Sequence, residues 1–500
     1  MTTTTSAPAA DLILTNAFVV GEAKDGVSRD LVISAGRVVS MRPSGSAPLP
    51  SAPTVDLDGR FVLPGLWDNH VHFTEWVSSS NRVDLSGARS AADAATLVAA
   101  ALAQRDGDDR PLIGHGFRDA LWPDVPHRDL LDAVAPHVPV CLTSGDLHCA
   151  WLNGAALEVL GLAADSPTGV LRESASEPAT EFAQQQSRAD DESVRAALDA
   201  AAARGVVGMI DFEFAPNLDV WARRYAGEHR PVRVECTVWE EHLEDAIARG
   251  LRTGDAVPGT GDMVTLGPFK IRVDGSLNTR TAYCYDAYAG ATDDPRGLLL
   301  AEPERLTELM YRATSNGIDC AIHAIGDHAN AIALDAFECL GARGSIEHAQ
   351  LVAETDFARF ADLGVIASIQ PGHAPDDRDA ADRLWAGRTG RSFAFGSLAA
   401  AGAELILGSD APVAPLDPWH AMATAVRRSG DDRPSWHPEQ ELTTAQALQA
   451  SVRTRRRLGV GDVADIAITE LDPLVSSAAE LAAMPVHGTL VSGRWTWQAS

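Results

Sequence analysis

Lysine is almost missing from this chain of 500 residues. Only Lys24 and Lys270 occur, and every other one of its 41 basic residues is arginine. Cysteine is sparse as well. Cys141, Cys149, Cys236, Cys284, Cys320 and Cys339 form no C-x-x-C pair, which excludes a zinc ribbon and a dithiol redox motif and leaves free thiols suited to a reducing compartment. The longest apolar runs, such as "GVVGMIDFEF" and "AAGAELILGS", fall short of the roughly 20 residues that span a bilayer. The opening "MTTTTSAPAADLIL" has neither the basic nor the apolar region of a secretory signal, so a cytoplasmic protein without a membrane partner is expected. Positive charge is in deficit: 69 acidic residues give a net charge of −28, which argues against nucleic acid or an anionic membrane bound through a general field. A small-molecule substrate is the expected partner, and a homo-oligomer is compatible with all of this.

Against the scarcity of lysine, Lys270 stands out because it lies inside the strand-like "PFKIRVDG" and not on a polar helix face. Arginine serves this chain wherever a positive charge is needed. What distinguishes lysine is that it can lose its proton, so a chemical use of the neutral amine is expected at position 270.

What the chain does contain is a regular alternation. Eight short β-branched runs, "FVLPGLWDNHVHF", "GVVGMIDFEF", "VRVECTVW", "VTLGPFKIRVDG", "DCAIHAIG", "GSIEHAQ", "GVIASIQP" and "AELILGSDAP", are separated by segments of helical periodicity such as "PERLTELMYRATSNG" and "HANAIALDAFECLG". That count predicts an α/β fold, a (β/α)8 TIM-type barrel. Residues 1–63 and 458–500 instead carry short strands between Gly and Pro clusters. Neither end has enough strands for a core, so the two are expected to form one discontinuous small β-sandwich flanking a barrel at 64–457. After the first barrel strand an α/β insertion at about 76–190 is too long for an ordinary loop and predicts a subdomain over the barrel mouth.

The polar residues then fall in informative places. His70 and His72, two apart in an extended segment, point to one side. Lys270 lies in the fourth strand, His323 in the fifth, His348 in the sixth, and Asp410 ends the eighth. A histidine here can be a satisfied core residue and an aspartate a helix cap. Six such positions on five strands at the rim where barrel enzymes place their chemistry point to a metal site. Imidazole and carboxylate donors suit zinc first, or manganese, iron or nickel. Lysine fits such a set only as the neutral amine or as the carbamate formed with carbon dioxide.

These segments, with "GDLHCAWLNGAAL", "TGVLRE", "FKIRVDGSLNTRTA", "IHAIGDHAN", "IEHAQ", "QPGHAPDD", "GSDAPV" and "GDVADIAI", resemble the amidohydrolase superfamily. The likeness is to its family 3 branch, which holds N-substituted formamide deformylases and exoenzyme regulators. The resemblance implies one or two divalent ions per chain: a first held by His70, His72, Lys270 and Asp410, and a second by carbamylated Lys270, His323 and His348. It implies attack of activated water on an amide or related C–N bond, with Asp410 taking the water proton and passing it to the departing amine. An ester, lactone or carbamate substrate, or a regulator without activity, are the alternatives. His148 and Asn153 in the insertion resemble substrate-side positions, with a helix cap as the other reading. Arg280 is placed to orient a carbonyl or to form a salt bridge, Asp327 and His373 to support a ligand or meet substrate, and Trp122 to line an apolar pocket or pack the insertion. One departure from the family pattern is the arginine cluster in "ALQASVRTRRRLGV".

Overall fold

The structure, a computed structural model, describes residues 10–499 apart from 23–25, 106–108, 165, 291–293 and 454–456. Part of the arginine cluster, Thr454, Arg455 and Arg456, therefore lies outside the described residues. All eight expected runs contribute a strand: Leu66–Val71, Val206–Asp211, Arg233–Val238, Val264–Arg272, Cys320–Ala324, Gly344–His348, Ile366–Ile369 and Leu405–Leu407. They lie in sequence order in one parallel sheet. Val206–Asp211 and Cys320–Ala324 are buried along their whole length, as parallel strands covered by helices on one face and packed inside a barrel on the other must be. The covering helices include Pro303–Ser315, which buries Leu306, Leu309, Met310 and Ala313 on one stripe.

The eighth strand returns to the first. Asp410 N donates to His70 O at 2.7 Å, His72 N to Ala411 O at 2.9 Å, and Asn69 Nδ2 to Leu407 O at 2.8 Å. The barrel thus closes through the segment that carries the candidate donors.

Strands from both chain ends share one mixed sheet, in which Phe61–Pro64 runs antiparallel to Ile466–Thr469. Leu14, Leu31, Ile33, Val62, Ile466 and Leu490 form its separate core. The run "FVLPGLWDNHVHF" accordingly splits in two: Phe61–Pro64 belongs to the terminal sheet and Leu66–Val71 to the barrel. Gly65 makes the transition. A Cβ there would lie 2.2 Å from Val207 Cγ1, so the two bodies approach at a position that tolerates no side chain. The insertion has its own five-stranded sheet built from strands between Val83 and Arg172, with cores around Trp151 and Leu152.

Gly65→Ala should therefore lower the midpoint of thermal unfolding by a few degrees, in line with the roughly 1–3 kcal/mol typical of overpacking a filled site. An unchanged midpoint in calorimetry would mean that Val207 yields and that the close approach is not a constraint.

Candidate metal centre

His70 and His72 end the first barrel strand, and their Nε2 atoms lie 3.6 Å and 3.4 Å from Asp410 Oδ1. The other carboxylate oxygen, Oδ2, lies 3.4 Å from His373 Nε2 and 4.0 Å from His348 Nδ1. Two donor groups result, His70–His72–Asp410 and His348–His373–Asp410, with donor atoms in each within 4.8 Å of one another. Asp410 belongs to both. Its backbone (φ 56°) and that of His348 (φ 76°) are left-handed, which is uncommon for residues other than glycine and persists only where surrounding contacts hold it.

The donors fit a metal ion. His348 Nδ1 and His373 Nε2 are buried without a hydrogen-bond partner, a state that otherwise carries a desolvation penalty. Burial first, then the nearby Lys270 charge, push the His70 pKa down to about 4. Burial and the neighbouring imidazoles push His348 well below its usual range. In His70 and His348 these shifts favour the neutral imidazole, the protonation state that metal binding requires, while at His72 the effect of burial is outweighed by the contact with Asp410, which raises the pKa.

Several contacts fix these donors. Glu347 Oε2 lies 2.6 Å from His70 Nδ1, which turns Nε2 toward Asp410, the carboxylate–histidine support common behind metal ligands. The His70 ring stacks on Phe212 at 3.9 Å, and Lys270 Nζ lies 4.5 Å from the centre of the Phe212 ring. Asp68 Oδ1 accepts from His70 N at 3.2 Å and from Ser409 N at 2.9 Å, clamping the first and eighth strands together. Lys270 is 2% exposed, and among the described residues no carboxylate reaches salt-bridge distance of it. Burial lowers its pKa to about 8 against the opposing pull of Glu347 and Asp410.

The other expected site residues divide. His323 stands beside the donor groups, its ring 4.6 Å from that of His348, with Nε2 3.3 Å from Gly275 O and 3.6 Å from Asp274 Oδ1. His373, expected to support or contact, is brought among the donors instead. His148 reaches the site from the insertion, its Nδ1 2.7 Å from Glu173 Oε2 and its ring 5.6 Å from His323. Asn153 is a structural cap: its Oδ1 accepts from Ala156 N and Val140 N, and its Nδ2 donates to Ala135 O and Val138 O. That leaves it nothing to offer a substrate. Asp327 is occupied by Tyr285 N and Arg391, so it braces two loops. Trp122 packs on Phe117 inside the insertion, and Arg280 is half-buried outside the cleft lining. The cation that does line the cleft is Arg118.

That cleft, narrow at about 30 Å³, opens above His348, His373 and Asp410 between the insertion and the helix His373–Leu384. A larger cavity, about 960 Å³, lies at the opposite ends of the barrel strands, near Cys320, Gly344 and Leu405. It contains none of the donors, so its size does not make it the reaction site.

Residues 53–496 match the sequence model of the amidohydrolase family. The chain belongs to that family. This amidohydrolase is 30% identical over 445 residues to the protein LONG AFTER FAR-RED 3 of Arabidopsis thaliana, covering 81% of this chain and 75% of the relative. It is 25% identical to the N-substituted formamide deformylase of Arthrobacter pascens, covering 97% of each. A solved structure of an uncharacterized metal-dependent hydrolase from Pyrococcus horikoshii superposes with a TM-score of 0.72 at 28% identity, over 94% of this chain and 99% of the other.

Sequence reasoning did not single out Glu347, Phe212 or Asp274. Their one signal was a carboxylate or a bulky ring in or just after an otherwise apolar barrel strand. Replacing Glu347 by Gln should weaken metal retention roughly 10–100-fold, the usual effect of losing such a support. Metal titration with a chelator measures it, and unchanged affinity would show that His70 is oriented by packing on Phe212 alone.

Proposed function

We propose that this amidohydrolase is a metal-dependent hydrolase that cleaves an amide or related C–N bond, in a substrate of N-acyl or N-formyl amine type. The observation that carries the reading is the Asp410 carboxylate shared between two donor groups beside a buried cleft. His70, His72 and Asp410 would hold one divalent cation, zinc first among the candidates for imidazole and carboxylate donors. His348, His373 and Asp410, joined by His323 and by Lys270 as its carbamate, would hold a second. Bound there, a divalent ion supplies Lewis-acid polarisation of the scissile carbonyl and eases deprotonation of water.

The chain's own residues do the rest. A Lys270 ammonium buried without a counter-ion is unfavourable; the neutral amine can add to carbon dioxide, releasing a proton to solvent and leaving an anion in its place. Asp410 is positioned to take a proton from the attacking water and give it to the leaving nitrogen, without which an amine departs poorly. His148, held by Glu173, faces the same cleft as a donor to the developing oxyanion. Esters, lactones and carbamates call for the same machinery, and a panel of amides and esters with metal-loaded protein separates them.

Asp410→Asn keeps one ligating oxygen but loses the basic carboxylate. Metal should stay bound while turnover falls by roughly 10²–10⁴-fold, as for loss of a general base, and the loss should be deeper for amides of strongly basic amines than for activated esters. Equal losses on both would remove Asp410 from proton transfer. Lys270→Arg should drop the metal content by one ion per chain, since guanidinium neither ligates nor forms a carbamate; two ions retained in elemental analysis would refute the carbamate.

A further inference from the structure

We infer that the cleft above the metal centre selects substrates whose amine portion carries an ammonium group, recognised by Asp377 and Asp146; this deepens the amide-hydrolase reading and rests on it. The two carboxylates come from opposite walls. Asp146 lies in the insertion just past the strand Val140–Ser144, and Asp377 lies on the helix His373–Leu384. The loop after the fourth barrel strand joins them: Ser276 Oγ donates to Asp146 Oδ2 at 2.8 Å, and Asn278 Nδ2 donates to Asp377 Oδ1 at 2.8 Å. The remaining contacts of Asp146 Oδ1 are Ser144 Oγ and His148 N.

All of these donors are neutral. Among the described residues no arginine or lysine reaches salt-bridge distance of either acid. The cleft's own guanidinium, Arg118, is taken by Asp376 at 2.9 Å. Asp377 is 7% exposed, and burial raises its pKa to about 6 against the opposing pull of His373 and Arg118.

A second observation points to a ligand in the cleft. Gln350, 3% exposed, lines the cleft and meets His373 Nδ1 at 3.1 Å through one end of its amide. With His373 Nε2 turned to the metal centre, Nδ1 carries the ring proton and donates to the amide oxygen, so the other amide end is open. The cleft therefore offers two carboxylates in no salt bridge and one open amide end. Carboxylates hydrogen-bonded only by neutral donors gain from a cation supplied by a ligand, and the open amide suits the polar atoms of the substrate's own amide. A substrate with a carboxylate tail would instead have to displace Asp376 from Arg118 and sit among like charges. At longer range, the net charge of −28 draws cations toward the protein.

The test is a matched pair, an N-acyl alkanediamine with an ammonium tail and the N-acyl amino alcohol with a hydroxyl in its place, joined by a carboxylate-tailed analogue. The ammonium substrate should show a kcat/KM at least about tenfold above the hydroxyl one, a modest value for a desolvated charge pair. The ratio should fall toward unity in Asp377→Asn and shrink in Asp146→Asn. Because both substrates are compared within one variant, partial misfolding does not alter the ratio. Thermal shift of metal-loaded Asp410→Asn with the same compounds reports binding apart from turnover and should rank the ammonium compound first. Equal values for the two tails, or preference for the carboxylate, overturn the inference. If no amide is hydrolysed while the thermal shift still ranks the ammonium first, the amide-hydrolase reading fails and the cleft assignment stands; with neither signal, both fall.

Discussion

The mouth of this barrel depends on the junction between its first and eighth strands. The eighth strand is only Leu405–Leu407, too short to set the geometry of the rim by its own ladder. The chain continues along the first strand nonetheless. Gly408 passes so close to His70 that a Cβ would lie 2.6 Å from its backbone nitrogen. Asp68 then accepts from both sides of the seam, and Asp410 N closes onto His70 O. The positive φ of Asp410 is maintained by these contacts. The spacing of its carboxylate from His70 and His72 is therefore a product of barrel closure, and a loosened seam would disperse the donors before it unfolded the fold.

Closure alone does not make the cluster favourable. His70, His323, His348, His373, Lys270, Glu347 and Asp410 are all less than 9% exposed, and desolvation disfavours the charged form of each. Glu347 escapes this penalty through its hydrogen bonds to His70 and Ser345. Burial works against the Asp410 carboxylate too, yet the surrounding imidazoles hold its pKa well below the usual range. The unpartnered nitrogens of His348 and His373 have no such relief inside the protein. A cation held there would satisfy them and would add to the stability of the folded state through mass action. Phe212 completes the arrangement, packed under His70 and against Lys270 at the inner end of the site.

How much of this was legible in the sequence follows from the range of the interactions. The eight strands were readable because parallel-sheet burial writes a local signature, and His70 with His72 because strand periodicity operates over two residues. Lys270 was readable from its rarity. The run ending at His72 was not divisible by pattern, since Phe61–Pro64 and Leu66–Val71 are both apolar and only the approach of Val207 to Gly65 separates them. Glu347 was hidden because its partner His70 is 277 positions away. His373 was legible as a rim residue and not as a donor, because its place beside Asp410 depends on where the helix after the seventh strand begins. Asn153 and Asp327 show the opposite case. Asn153 caps the helix Gly154–Leu160 and Asp327 braces two loops through Tyr285 and Arg391, so each is explained by a structural task.

The insertion enters the site by a different kind of contact from the one that builds the barrel. Its own cores are separate, and over the mouth it is tied to the loop after the fourth strand by side-chain hydrogen bonds. Glu173 accepts from Thr279 Oγ1 at 2.8 Å and from Thr281 Oγ1 while holding His148. Asp146 accepts from Ser276. Glu173 has a left-handed backbone (φ 50°), so its carboxylate is placed by the turn after Val170–Arg172 and not by a regular strand. Polar ties of this kind are directional and specific, but each can change without disturbing an apolar core. The candidate metal donors are thus set by the barrel seam, while one wall of the cleft is set by a segment with its own cores, an arrangement in which a barrel's loops shape its site apart from its frame.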